Sequence, residues 1–392
     1  MRFKDGFSRV LLAVLLMTGT GQLCFAQHYL MYAGTYTNTG SKGIYVYSYD
    51  SDSGKIESLG PAAETENPSF LVPDSAGKHL YAVNETQRYK GEASGAVTAF
   101  AIDKKTGKLT ALNQVASRGA DPCYISFGRS GKYVLVANYT GGNVAVFPLV
   151  QDGHIGEASS VLEDQGPVGP NKERQEKAHA HWIETSAHNR FAYVADLGLD
   201  RVLIYKFDEA KGSLSRGESS GSPTENFFSA ALAPATGPRH VAFSADGNFM
   251  YVLGELDSTV TVFANDAKES YRSIQKISSL PAGFEGKNDA AEIVLHPSGK
   301  FLYTSNRGDD SIAVFAVDRA SGKLTFVQRI PSGGKTPRNF AIDPPGTHLL
   351  VANEESGNIV EFGIDQATGK LSAVGEVAKV PSPVCLVFVK EK

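Results

Sequence analysis

Positive charge is not in excess along this chain. Its 38 lysines and arginines against 42 aspartates and glutamates leave a formal net charge of −4, so no basic field exists to hold nucleic acid through its phosphates. Cysteine is scarce, with three residues at positions 24, 123 and 385. Long apolar runs are missing as well. The best of them, Leu11 to Met17, falls short of the ~20 residues a membrane span needs. No Gly-x-Gly-x-x-Gly or P-loop pattern follows a strand-like run, which argues against a nucleotide cofactor, and no His-Glu-x-x-His marks a zinc site. Nothing reads as a long amphipathic helix.

The first residues have the pattern of an export leader. Arg2, Lys4 and Arg9 precede the apolar run, and Cys24-Phe25-Ala26 offers small residues on either side of a bulky one. Cleavage after Ala26 is expected, giving a leader over residues 1–26, a single domain over 27–392 and a mature net charge of −6. The product would be periplasmic or secreted, without a membrane span. Cys123 and Cys385 would remain. The repeat described next sets them in non-adjacent units, and bridged Cα atoms must lie within about 7 Å, so two free, buried thiols are expected.

Seven short segments look alike. They begin at Asn67, Asp121, His179, Gly237, Asp289, Thr336 and Ser382, with spacings of 54, 58, 58, 52, 47 and 46 residues. Five contain X-Pro, as in Gly237-Pro238-Arg239-His240-Val241. In the first six a Gly, Asn or Asp turn follows, then a β-branched and aromatic run such as Met250-Tyr251-Val252-Leu253, then a third run such as Asn143-Val144-Ala145-Val146-Phe147. Gly-Lys turns lead to a looser fourth run. Periods of this size with four strands per unit describe an all-β seven-bladed propeller. The seventh copy ends the chain after one strand. Its missing strands match Leu30 to Gly34 and Gly43 to Tyr47, so the last blade is expected to be closed by the N- and C-terminal strands, which removes the free edges.

Aligned repeats expose the residues that do not serve the repeat. The third residue of each segment is Ser69, Cys123, His181, Arg239, Ala291, Arg338 or Val384. The residue after each second strand is Glu85, Tyr139, Leu197, Glu255, Arg307 or Glu354, with Thr35 completing the series. In an antiparallel pair the start of strand one lies beside the end of strand two, so both rings are expected at one mouth of the central channel. His181 could move a proton near neutral pH. Arg239, Arg307 and Arg338 could anchor an anion or stabilise an oxyanion. Glu255 could orient His181, clamp an arginine or take the proton itself. The alternative for such charges is an ion-pair network that only closes the channel. His179 and His181 fall on the same side of an ideal strand and could share a metal, but no third ligand stands at a diagnostic spacing. Two inserts, residues 163–178 and 218–236, precede His181 and Arg239 and should overhang the mouth.

Several of these segments resemble signatures of one family. His179-Ala180-His181, Val194-Ala195-Asp196-Leu197-Gly198, Gly237-Pro238-Arg239-His240, Glu292-Ile293 with Ser305-Asn306-Arg307-Gly308, and Pro337-Arg338-Asn339-Phe340 are similar to those of the propeller-type lactonases. That family includes 6-phosphogluconolactonases and enzymes that cyclise carboxymuconate. The resemblance implies that His181, Arg239, Glu255 and Arg307 are the catalytic group. Arg338, Glu85, His179, Glu292 and Asn306 are expected to bind substrate; the resemblance implies that no metal is required, and no cofactor is expected. The expected partner is a small anionic or sugar-derived lactone, handled by a monomer. An export leader sits uneasily with a cytosolic phosphorylated substrate. A lactonising cyclase would use the same groups. A non-catalytic binding propeller would not need them to converge.

Overall fold

The computed structural model describes residues 28–216, 228–266 and 270–391. The expected leader over residues 1–26 and most of the 218–236 insert lie outside them. Among the described residues there are seven antiparallel sheets, six of four strands and one of five. Each begins at one of the repeated segments. The second blade is representative: Pro122–Phe127 is innermost, followed by Tyr133–Asn138, Asn143–Pro148 and Ser160–Glu163. The third blade carries the extra strand, because both Ser213–Arg216 and Phe228–Ala231 pair with Arg201–Asp208. No helix among the described residues is long and apolar enough to cross a membrane.

Burial explains the sequence pattern. The second and third strands of each blade are packed on both faces and read as continuous runs of Val, Leu, Ala and Tyr. Phe191–Asp196 and Asn143–Pro148 are buried along almost their whole length. The outermost strands show one face to water, as in Leu109–Ala116, so their apolar pattern is diluted. Side chains from neighbouring blades interleave: Leu135 and Val146, then Trp182, Tyr193 and Leu203, then Met250 and Phe263 form one cluster across three blades. The ring closes as expected. His28–Thr35 pairs with Pro383–Lys390 on one side and with Gly43–Asp50 on the other, with Tyr32 opposite Val387. Cys123 and Cys385 are free and buried, and the Cys385 thiol lies 3.4 Å from the Leu71 amide.

Three backbone devices aim side chains at the channel mouth. First, the residue before proline in all five X-Pro segments has a left-handed backbone, with φ of 40° at Asn67, 52° at Asp121, 58° at Gly237, 59° at Thr336 and 48° at Ser382. A β-branched residue such as Thr336 adopts this only under constraint from its surroundings. Second, six of the seven innermost strands carry a register shift at the third residue of the segment, which leaves Cys123, His181, Arg239, Arg338 and Val384 unpaired, and Ala291 with Glu292 opposite one residue. A bulge bends the strand and re-aims that side chain. Third, the amide after the second strand donates back to the first residue of the segment. Glu85 bonds to the Asn67 carbonyl at 3.0 Å, Tyr139 to Asp121 at 2.8 Å, Glu255 to Gly237 at 2.8 Å and Glu354 to Thr336 at 2.9 Å. These bonds tie the two rings together on one face. In the closing blade the same bond comes from Tyr36, at 3.1 Å from the Ser382 carbonyl. Thr35 is instead buried, with its hydroxyl on Ser41 and Gly43. The terminal strand pair slips by one residue between Gly34 and Thr35, so Tyr36 and not Thr35 completes the second ring.

Candidate active site

A cavity of about 240 Å³ opens at this mouth, lined by Glu85, Cys123, Tyr139, Arg174, His181, Glu255, Arg307 and Arg338. Both rings contribute, as the repeat alignment predicts. Arg239 lies just beneath, 2% exposed.

Glu255 is the hub. Its Oε2 is 3.0 Å from Arg239 Nε and 3.1 Å from an Arg307 terminal nitrogen, while Arg174 hydrogen bonds to Oε1. The Arg239 approach is off-line for a hydrogen bond, leaving its Nε without one. Arg239 also donates to the Ala291 carbonyl, and Arg307 Nε donates to the Asp289 carbonyl at 3.1 Å. Burial alone would raise the Glu255 pKa, but the guanidiniums of Arg307, Arg239 and Arg174 outweigh it and hold the carboxyl at about 2. Burial, then repulsion from Arg307 and Arg338, pushes Arg239 down to about 10. Glu255 therefore clamps arginines, the second of the roles open to it, and is a poor proton acceptor near neutral pH.

His181 is 5% exposed and packs edge-on against Tyr139 and His240, with ring centres 5.5 and 5.2 Å away. Its Nδ1 is buried with no hydrogen-bond partner among the described residues. Burial, followed by repulsion from Arg239, His240 and Arg338, drives its pKa well below the ordinary imidazole range. It is thus a neutral imidazole with an uncommitted nitrogen.

On the opposite flank the Tyr36 hydroxyl lies 3.0 Å from both Glu85 oxygens, and the Arg338 guanidinium sits over the Tyr36 ring at 5.2 Å. Cys123 lines the cavity, but burial pushes its thiol well above the usual range, which disfavours a nucleophilic thiolate.

The other expected ligands sit apart. The His179 ring stacks on Tyr139 at 4.5 Å, with Nε2 3.0 Å from Glu176 and Nδ1 3.1 Å from the Tyr139 carbonyl. It backs Tyr139, and both its ring nitrogens are engaged, which leaves no free edge toward a metal. Among the described residues no group of three or more His, Cys, Asp or Glu is placed to hold one. Glu292 plugs the channel below the mouth, taking His240 Nδ1 at 2.8 Å and Asn339 Nδ2 at 2.6 Å. Asn306 does not reach the cavity. It is buried on Ser279 and Ser311 at 2.7 and 3.2 Å, because strand alternation turns it away from its neighbour Arg307.

Arg174, Tyr36, His240 and Asp289 were not singled out from sequence. Arg174 comes from the 163–178 insert, which does overhang the mouth, and reaches Tyr139 and Asp289 at 3.4 Å each. That insert is tied down by a pair of buried acids. Asp196 accepts the His179 and Leu199 amides at 2.9 and 3.0 Å, and Asp164 accepts the Tyr205 hydroxyl at 2.6 Å. Their remaining oxygens have no other partner and face each other. Two carboxylates so placed need one proton between them, and burial followed by repulsion from Asp196 raises Asp164 well above its ordinary value. The native state holds a proton that the unfolded chain releases, so this pair's contribution to stability is full below the ordinary aspartate range and falls as pH rises from there. Asp164→Asn, which supplies a permanent donor, is expected to flatten the decline of thermal midpoint as pH rises above the ordinary aspartate range. An unaltered slope would show that the proton is not shared.

A closed propeller whose mouth joins a neutral imidazole, a guanidinium cluster and a cavity is built as an enzyme site for a small molecule; it is neither sealed nor scattered, as a scaffold would be. The family model of the seven-bladed β-propeller lactonases matches residues 30–388, and the chain belongs to that family. It is 36% identical to the 6-phosphogluconolactonase of Bacillus subtilis, over 93% of this chain and 99% of that one. It is 34% identical to the 6-phosphogluconolactonase of Formosa agariphila, over 80% and 86%. The solved structure of the periplasmic gluconolactonase of Pseudomonas aeruginosa superposes with a TM-score of 0.85 at 35% identity, covering 93% of this chain and 100% of that one.

Proposed function

We propose that this lactonase opens a sugar-derived lactone in an exported setting, preferring one that carries a negative group, as 6-phosphogluconolactone does, over a neutral one such as gluconolactone. The observation that carries the reading is the charge balance of the cavity. Three guanidiniums, Arg174, Arg307 and Arg338, line the cavity and a fourth, Arg239, lies just beneath, against the carboxyls of Glu255, Glu85 on the far flank and Asp289 at the rim. The surplus favours an anion. The cavity of about 240 Å³ is smaller than the roughly 300–1,000 Å³ of sites for drug-sized ligands, which suits one sugar ring. The names of the relatives support a sugar-derived lactone, and the leader-like N-terminus supports the exported setting.

In this reading His181 takes a proton from the attacking water. Arg307, held against Glu255, stabilises the oxyanion that forms on the lactone carbonyl. Arg338 and Arg174 anchor the substrate's negative group. Glu255 keeps the arginines in place and makes no contact with protons in flight.

The test is a hydrolysis screen of the mature protein against δ- and γ-lactones, with and without phosphate. Anionic lactones should be preferred. Arg307→Ala should lower kcat by about 10²–10³-fold, the usual cost of one oxyanion donor, with little change in thermal midpoint because Glu255 keeps two other arginines. An unchanged rate would reject the role assigned to Arg307.

A further inference from the structure

Glu255 is spent on its arginines, which leaves the cavity with one other carboxyl, Glu85. We propose that Glu85 is the general acid of ring opening, giving its proton to the ring oxygen as the acyl C–O bond breaks. The proposal rests on the lactonase reading and adds a second proton-transfer group to it.

Glu85 lines the same cavity as His181 but stands in a different environment. Among the described residues no cationic group lies within ion-pair distance of it, whereas Glu255 has three. Its side-chain hydrogen-bond partner is neutral: the Tyr36 hydroxyl, 3.0 Å from each oxygen. The charged groups that act on it are Arg338 and the carboxylate of Asp121; the Cys123 thiol feels the Glu85 charge, and Glu354 acts on the neighbouring Tyr36. Burial raises its proton affinity, and the favourable pull of Arg338 does not cancel that rise. Two carboxyls in one pocket are thus driven apart, one permanently ionised and one able to carry a proton, the division that acid–base sites use. The Tyr36 hydroxyl, donating toward both oxygens, orients the carboxyl within the cavity.

The proton count closes. Water loses one proton to His181 as its oxygen bonds to the carbonyl carbon. The tetrahedral intermediate collapses, the ring C–O bond breaks, and the Glu85 proton passes to the ring oxygen, which becomes the product hydroxyl. Imidazolium and carboxylate then remain in the same cavity. Transfer of the proton from His181 to Glu85 restores both groups, and the product acid ionises in solvent.

The decisive experiment varies the leaving group. Glu85→Gln keeps the shape and the hydrogen bond to Tyr36 but has no proton to give. With an aliphatic sugar lactone, whose leaving group is an alkoxide, kcat should fall about 100-fold with KM nearly unchanged. With dihydrocoumarin, which leaves as a stabilised phenolate, the fall should be less than about 5-fold, since little acid help is needed. Tyr36→Phe removes a hydrogen bond that favours the ionised form, so it should keep most of the rate and move the alkaline limb of the kcat profile upward. Equal losses on both substrates, or a loss confined to KM, would make Glu85 a binding group and overturn the proposal. An alkaline limb that stays put in Tyr36→Phe would overturn it as well. A wild-type protein that hydrolyses neither substrate would instead overturn the lactonase reading, so the two failures are distinct.

Discussion

Glu255→Gln is expected to be the most damaging substitution in the molecule for its size. The glutamine fits the space, yet it leaves Arg239, itself 2% exposed, beside Arg307 and Arg174 without its ion-pair partner. Breaking a buried ion pair from one side costs about 3–5 kcal/mol. The titration of the carboxylate gives a similar size. Its pKa is about 2 in the native state against 4.5 for an ordinary glutamate, and each pH unit of lowering is worth about 1.4 kcal/mol, so Glu255 contributes on the order of 3 kcal/mol at neutral pH. A fall in thermal midpoint of roughly 5–10 °C should follow for a protein of this length, together with loss of turnover as the arginines spread apart. The sign with pH is fixed. A depressed carboxylate stabilises fully above its unfolded value and loses that stabilisation as pH drops from there through its folded value. The gap between wild type and Glu255→Gln should therefore be widest at neutral pH and close between about pH 4.5 and 2. Midpoints measured at pH 7, 4 and 3 would read it, and a gap that stays constant would show that the arginines do not depend on this charge.

Most of this site was legible before any coordinates, because repetition made it so. A residue such as Arg239 stands out only when six equivalent positions show what the blade itself requires. Antiparallel pairing then forces the Arg239 and Glu255 rings to the same end. Less accessible was how an unpaired third residue comes to face the channel. Strict alternation would swing half of these side chains away; the bulges at Cys123, His181, Arg239 and Arg338 undo it, and nothing in the composition of those segments announces a bulge. The same one-residue irregularity in the closing blade moved the ring position from Thr35 to Tyr36. Arg174 belongs to an insert and has no counterpart in other blades, so alignment of repeats could not flag it. Asn306 went the other way. It shares a segment with Arg307 and was grouped with it, although neighbours on a strand face opposite sides, and its hydrogen bonds to Ser279 and Ser311 hold adjacent turns together.

His181→Ala separates catalysis from folding more cleanly than any other change at the mouth. Most buried polar atoms have partners, so deleting one strands another. The His181 Nδ1 has none, so its removal orphans nothing. The thermal midpoint at pH 7 should stay near that of wild type, while kcat falls by about 10²–10⁴-fold, the span of a lost general base, and added imidazole should restore part of it. The pH profile carries a further signature. Burial, then Arg239, His240 and Arg338, keep the ring neutral well below its usual pKa in the empty site, so the acid limb of kcat/KM should lie below the ordinary histidine range. An anionic lactone brings negative charge against those same arginines and weakens their repulsion of a proton on the ring. The acid limb of kcat, which reports the occupied enzyme, should therefore lie at higher pH than that of kcat/KM. Stability moves in the matching direction: the unfolded chain protonates this imidazole first, so wild type should lose stability as pH falls below about 6.5 and the alanine variant should lose less. A variant turning over within a few-fold of wild type, or two acid limbs that coincide, would take the proton away from His181 and leave the guanidiniums to work on water alone.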